Sequence, residues 1–258
     1  MLNTIGSDME LFGMNKDGHH VALCGRIGGS KEAPLQIPEF QRGFMIQEDN
    51  VSLEFNIPVC HSIEEFVLSF SKMRNKTKEI LVKLGLEQSL NSSMSFDKSE
   101  LVHPNSLIFG CEPDYNAWTM TENQKPFSKD ETLRTCGGHI HVGTELPMID
   151  GVKNMDLFLG VPSVILDSSP SSIKRRELYG KAGAMRPKPY GFEYRVLSNY
   201  WMFSDKLVSW VYEQTFRSCF GTLHLTPAEE GRIQMCINTG DKDLAKDLIK
   251  SYDITLPK

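Results

Sequence analysis

No apolar run in the sequence approaches the ~18 residues that a membrane-spanning helix needs, so nothing in it reads as a transmembrane segment. The opening residues, MLNTIGSDMELF, have no basic start and no apolar stretch followed by small residues, so a secretion signal is not expected. The six cysteines, Cys24, Cys60, Cys111, Cys136, Cys219 and Cys236, include no C-x-x-C pair, which removes the usual zinc and dithiol signatures. An even count admits three disulfides, but a chain of 258 residues buries enough surface to fold without them. Free thiols in a reducing, cytoplasmic compartment are therefore expected. Positive charge is not in excess either, with 28 Lys and Arg against 33 Asp and Glu and a net charge of −5, so wholesale coating of nucleic acid is not expected. Internal repeats, low-complexity tracts and an inter-domain linker are missing too, which leaves a single domain over residues 1–258.

What is present is a mixture of strand and helix patterns. Ile5–Phe12 and His20–Cys24 read as short strands, separated by a Gly- and Pro-rich loop, Gly25–Pro38, from Val51–Ile57. There Val51, Leu53, Phe55 and Ile57 alternate with Ser52, Glu54 and Asn56, the pattern of a half-buried strand. Ser62 and Glu65 form a capping box ahead of a helical stripe, Ile63, Phe66, Val67, Phe70 and Met73, which Gly85 stops. Leu86–Pro104 is polar, a strand edge or loop, and Leu107–Cys111, Gly138–Gly143 and Phe192–Leu197 read as strands. Helices are expected over Asp156–Leu166, bent or begun near Pro162, over Trp201–Phe216, after the capping box Thr226/Glu229, and over Asp241–Ser251. Strands and helices do not alternate regularly, so the fold class is α+β with a largely antiparallel sheet.

Four of these strands carry polar pairs at the strand period. Asp8 and Glu10 share a face, as do His139 and His141, and Glu193 and Arg195, while Glu54 lies on the polar face of its own strand. Any one pair fits the solvated side of a sheet. Converging, they would make a carboxylate-rich cup that repels itself unless cations neutralise it. Oxygen-rich donors suit Mg²⁺, with Mn²⁺ as the alternative, better than zinc.

Two further stretches could hold an anion. The loop around Arg26 and Lys31, Cys-Gly-Arg-Ile-Gly-Gly-Ser-Lys-Glu, fails the Walker spacing but is rich in backbone N–H groups. Residues 175–195 combine Arg175, Arg176, Lys181, Arg186, Lys188 and Arg195 with Tyr179, Tyr190 and Tyr194. Cations beside metal ligands suit phosphoryl transfer. A basic and aromatic nucleic-acid surface is the competing reading.

The motifs Gly-Ser-Asp-Met-Glu-Leu-Phe (6–12), Arg-Ile-Gly-Gly-Ser-Lys (26–31), Glu-Asp-Asn-Val-Ser-Leu-Glu-Phe-Asn-Ile-Pro (48–58), Gly-Cys-Glu-Pro-Asp-Tyr-Asn-Ala-Trp (110–118), Leu-Arg-Thr-Cys-Gly-Gly-His-Ile-His-Val-Gly (133–143) and the segment 178–201 occur in this order. Together they resemble the phage-type carboxylate–amine ligases (type 2, amidoligases) of the glutamine synthetase/glutamate–cysteine ligase superfamily, over about residues 5–215, with a helical C-terminal extension. The resemblance implies a curved antiparallel sheet forming an open cup, helices on its outer face, and ATP with two or three Mg²⁺ ions inside. It implies an amide-forming ligase acting through an acyl phosphate on a small-molecule, peptide or protein acid and amine, in a host cytoplasm if phage-encoded.

By the same resemblance Glu10, Glu54 and Asp49 would hold one ion, and Asp8, His139 and Glu193 another. His141 and Arg186 would contact phosphates, with Lys181, Arg26 and Lys31 as further nucleotide-binding candidates. Arg195, with Arg186, would act on the substrate carboxylate or the migrating phosphoryl group. Two departures are visible: Asp8 stands where relatives commonly carry Glu, and Glu48, rather than Asp49, has the parity of Glu54. A guanidino-kinase-like phosphotransferase and a non-catalytic binding module are the alternatives.

Overall fold

The computed structural model describes residues 2–107, 114–124 and 127–257. Cys111 and residues 108–111 of the strand expected from Leu107 lie outside the described residues, and Leu107 itself ends a short 3₁₀ turn, Pro104–Leu107. The chain begins with β1 (Leu2–Leu11), β2 (Gly13–Met14), β3 (His20–Val21), β4 (Leu35–Gln36), β5 (Met45–Asp49) and β6 (Ser52–Asn56). Then come α1 (Ile63–Lys83), β7 (Glu87–Gln88), β8 (Ser93–Ser95), β9 (Tyr115–Asn116), β10 (Thr121–Glu122), β11 (Leu133–Thr135) and β12 (Gly138–Thr144). The remainder is α2 (Met148–Met155), α3 (Val161–Leu166), α4 (Pro170–Leu178), β13 (Ala184–Lys188), β14 (Gly191–Tyr194), α5 (Asp205–Ser218), α6 (Pro227–Thr239) and α7 (Lys242–Ser251).

Among the described residues nine strands form one open sheet in the order β10-β9-β13-β14-β12-β1-β6-β5-β4. Their pairings are antiparallel. The α+β class with a large antiparallel sheet is thus the observed architecture. Alternation sorts its faces. Met9, Leu11, Phe55, Ile140, Val142, Phe192 and Tyr194 join the core that the helices close. In register on the other face stand Asp8 opposite His139, Glu10 opposite Glu54, and His141 opposite Glu193.

The helix α1 starts as its sequence specifies. The Ser62 hydroxyl accepts the Glu65 N–H at 3.2 Å, although the Glu65 carboxylate accepts from the N–H of His61, at 2.7 Å, rather than from the cap itself. Its stripe seats Phe66 and Phe70 against the sheet and Trp201, with ring centroids of Phe70 and Trp201 4.8 Å apart. Such aromatic burial is the main driving force available here, ~1.5–3 kcal/mol for a Phe-sized side chain.

Three expected elements change. The helix expected over Asp156–Leu166 begins at Met148, and its residues Asp156–Gly160 widen into a π turn. That turn immediately precedes Val161 and Pro162, where an unbroken α ladder would need the N–H that proline lacks. The strand expected to reach Leu197 stops at Tyr194. The helix expected from Trp201 divides into a 3₁₀ turn, Asn199–Phe203, and α5, because Ser204 is extended (φ −139°, ψ 126°).

Candidate active site

The central strands bring the polar pairs together. Glu10, Asp49 and Glu54 each offer a carboxylate oxygen, all within 4.8 Å of one another, and so do Asp8, His141 and Glu193 with their own donor atoms. Adjacent even positions of β1 feed both groups. Asp49 arrives by register: the two-residue turn Asn50–Val51 pairs Asp49 with Ser52 and Gln47 with Glu54, which puts the odd residues of β5 on the face of Glu54. Asn50 closes the turn in the left-handed region, φ +55°. No bulge is needed.

Glu48 consequently faces the other way. Its carboxylate accepts N–H bonds from Gly25 (2.7 Å), Ile27 (2.9 Å) and Gly28 (2.6 Å). Against the cost of burial these bonds hold its carboxyl below the usual range. The glycine-rich loop therefore spends those N–H groups on a resident carboxylate, not on a phosphate, which corrects the reading of it as an anion cradle. Arg26 turns from the site to within 4.0 Å of Glu100, whereas Lys31 lines the cup. The Lys181 ammonium donates to the Asn238 carbonyl of α6 at 3.4 Å.

The two carboxylate groups differ electrically. Burial, then Asp8, Glu10 and Asp49, push the Glu54 carboxyl well above the usual range. Enclosure in the cup and the nearby Glu10 push Asp49 up to about 6. Like charges crowded at low dielectric retain protons unless a cation replaces them. At the other group, burial and Asp8 would raise Glu193, but Arg195, His139 and Arg186 prevail and hold it at about 2. Glu193 is fully buried and ion-paired with Arg195, with Arg186 at 3.2 Å and with Lys188 at 3.0 Å. Burial also works against the Asp8 carboxylate, yet His141 and His139 keep it well below the usual range.

Both imidazoles flank Asp8, His139 Nδ1 at 3.1 Å and His141 Nε2 at 3.3 Å. His139 also lies 3.6 Å from Glu193 and 3.2 Å from Arg195 Nη1. His141 belongs to the compact three-donor group, and His139, expected beside the carboxylates, lies against Asp8 and Glu193 and also borders the cavity described next. Gly137 is required beside it, because a Cβ there would strike the His139 ring. The Gly137 N–H in turn holds Glu10, donating to its carboxylate at 2.7 Å.

Beside the Glu10 group opens a cavity of about 300 Å³. Asp49, His139, Arg195 and Lys31 line it together with Arg134, Arg175 and Tyr179, three residues that the sequence pattern did not place there. Arg134 donates to the carbonyls of Ser106, Glu131 and Leu133. Lys188 was also missed as a partner of Glu193. Its signal was the Arg186–Lys188 alternation on one strand, interrupted by Pro187. Tyr190, from the β13–β14 turn, meets His141 Nδ1 through its hydroxyl.

The donor sets fit divalent cations. Three carboxylates crowd at one, and at the other Asp8 stands between two imidazoles beside Glu193. Among the described residues, no helix is long and apolar enough to cross a membrane.

Residues 126–250, just under half of the chain, match the family model of the phage phiEco32-like COOH.NH2 ligase-type 2 proteins, in line with the family resemblance. No curated protein sequence matches the chain. Among solved structures it is similar to a bifunctional glutathione synthetase from Pasteurella multocida, at 11% identity and a TM-score of 0.46 over 98% of this chain and 49% of that one. It is also similar to a GmaS/ADP complex, at 10% identity and a TM-score of 0.40 over 97% of this chain and 64% of that one. Apo GmaS gives 9% identity and a TM-score of 0.41 over 99% and 70%. The chain spans about half the length of the glutathione synthetase.

Proposed function

From the family match over residues 126–250, we propose that this protein is an ATP- and Mg²⁺-dependent carboxylate–amine ligase, forming an amide through an acyl phosphate. The observation that carries the reading is the pair of donor groups fed by Asp8 and Glu10 of one strand, beside a cavity lined by carboxylates and by the cations Lys31, Arg134, Arg175 and Arg195. Mg²⁺, or Mn²⁺ in its place, would be held by Glu10, Asp49 and Glu54, and a second ion by Asp8 and His141 with Glu193. Bound there, the ions would neutralise phosphate oxygens.

The chain's own residues supply the rest. Arg186 and Lys188 reach the cup from β13 and can receive phosphate charge. Arg195, buried beside His139, can hold the substrate carboxylate or the transferring phosphoryl group in two parallel hydrogen bonds. GmaS is known in complex with ADP, and use of ATP by the present chain belongs to the proposal.

The test is phosphate release from ATP and Mg²⁺ with pooled amino acids, polyamines and short peptides. A ligase releases phosphate only when both an acid and an amine are present, and EDTA abolishes it. ADP with a stable phosphorylated product would identify a phosphotransferase instead, and no turnover would leave a binding module.

A further inference from the structure

Three guanidinium groups line the 300 Å³ cavity, and their partners differ. Arg195 is ion-paired with Glu193, and Arg134 is held by backbone carbonyls. Arg175, on α4, is only 3% exposed. Its Nη1 donates to the Val196 carbonyl at 3.1 Å, and its Nε meets no acceptor. Among the described residues no carboxylate is ion-paired with it. Glu10 and Asp167 favour its charge through space while Arg176 and Arg195 oppose it, and a buried N–H left without an acceptor is costly.

The chain nonetheless shapes itself around this side chain. Gly180 adopts φ +72°, and a Cβ there would strike both Arg175 Nη1 and the Val196 carbonyl. Burial pushes the Arg175 guanidinium down to about 10, still charged at neutral pH.

We propose that Arg175 is an oxyanion-binding residue that receives a carboxylate or phosphate group of a substrate at the floor of this cavity. A planar guanidinium matches either group with two N–H donors. The carboxylate would be a second, non-reacting one on the acid substrate, and the phosphate would belong to the nucleotide. This deepens the ligase reading by naming the chemistry of one substrate group, and its test reads binding rather than turnover.

The full chain is titrated calorimetrically with glutarate and, separately, with inorganic phosphate. The wild type should bind one of them, and Arg175→Gln and Arg175→Lys should each weaken that binding at least ~10-fold. Loss confined to glutarate assigns the subsite to the acid, and loss confined to phosphate assigns it to the nucleotide. Wild type that binds neither probe, or folded variants that bind as wild type does, would overturn the proposal. Should the variants fail to fold, wild-type crystals soaked with the better probe decide: an oxyanion within hydrogen-bond distance of Arg175 supports the assignment, and one seated elsewhere refutes it. If Arg175-dependent binding is found but ATP-driven ligation is not, the ligase reading falls alone.

Discussion

At the residue scale the site rests on charges that the fold cannot satisfy internally. Glu54 stands among Asp8, Glu10 and Asp49. Replacing it by Ala should abolish ATP turnover while leaving the metal-free protein folded, because removing one carboxylate relieves repulsion. Near-normal turnover of Glu54→Ala at saturating Mg²⁺, with an unchanged melting curve, would count against metal binding at this group. Arg195 is the second case. Its guanidinium lies inside the cup between Glu193 and His139, with Nε 3.5 Å from Asp114. Arg195→Lys should keep ATP binding but lose ligation by ~10²–10³-fold if the fork stabilises charge developing in the transition state. A surface ion pair would predict almost no effect, since such pairs contribute only ~0–1 kcal/mol. Steady-state kinetics beside an ATP-binding isotherm separates the two outcomes.

At the scale of elements, the π turn in the α2–α3 helix carries the joint between helices and sheet. Asp156, within it, accepts hydrogen bonds from Trp118 Nε1 (2.6 Å), the Gly183 N–H (2.6 Å) and the Tyr194 hydroxyl (2.8 Å). Burial outweighs these three bonds and pushes the carboxyl up to about 7 from an ordinary value of 3.8. The folded state therefore holds a proton that the unfolded chain releases. The resulting stabilisation is complete below 3.8 and fades as pH rises through about 7. Over that window it amounts to a few kcal/mol at most, at ~1.4 kcal/mol per unit. Asp156→Asn should flatten the fall in urea midpoint between pH 4 and pH 8. An unchanged slope in the variant would mean that Asp156 is ionised throughout.

At the scale of the whole molecule, a large core lies between the sheet and its helices, a smaller cluster holds Cys24 and Cys136, and thiols belong to both without bridging either. Cys24, Cys60, Cys136, Cys219 and Cys236 are all buried and free. A reducing agent should leave the melting temperature nearly unchanged. A native disulfide would contribute ~2–4 kcal/mol, or several degrees at ~2–4 °C per kcal/mol. A drop of that size on reduction, read by calorimetry, would contradict the free thiols.

Much of this was legible in the sequence because it is local. Period-two alternation placed Asp8 with Glu10 and His139 with His141 on single faces, and the caps of α1 and α6 follow from Ser62 and Thr226. What only the tertiary structure decided is how separate strands meet. The β5–β6 turn reverses parity, so Asp49 enters the cup and Glu48 leaves it to bind the loop at Gly25–Gly28. Lys181 and Arg26 look like phosphate ligands by composition, but their side chains turn to α6 and Glu100. Arg175 reads in the sequence only as one cation of the basic stretch 175–195, and its burial against the cavity is set by packing. The physical reason is that a residue's type and spacing fix its face along one strand, whereas the partners of a charge are set by register, turn geometry and packing between segments far apart in the chain.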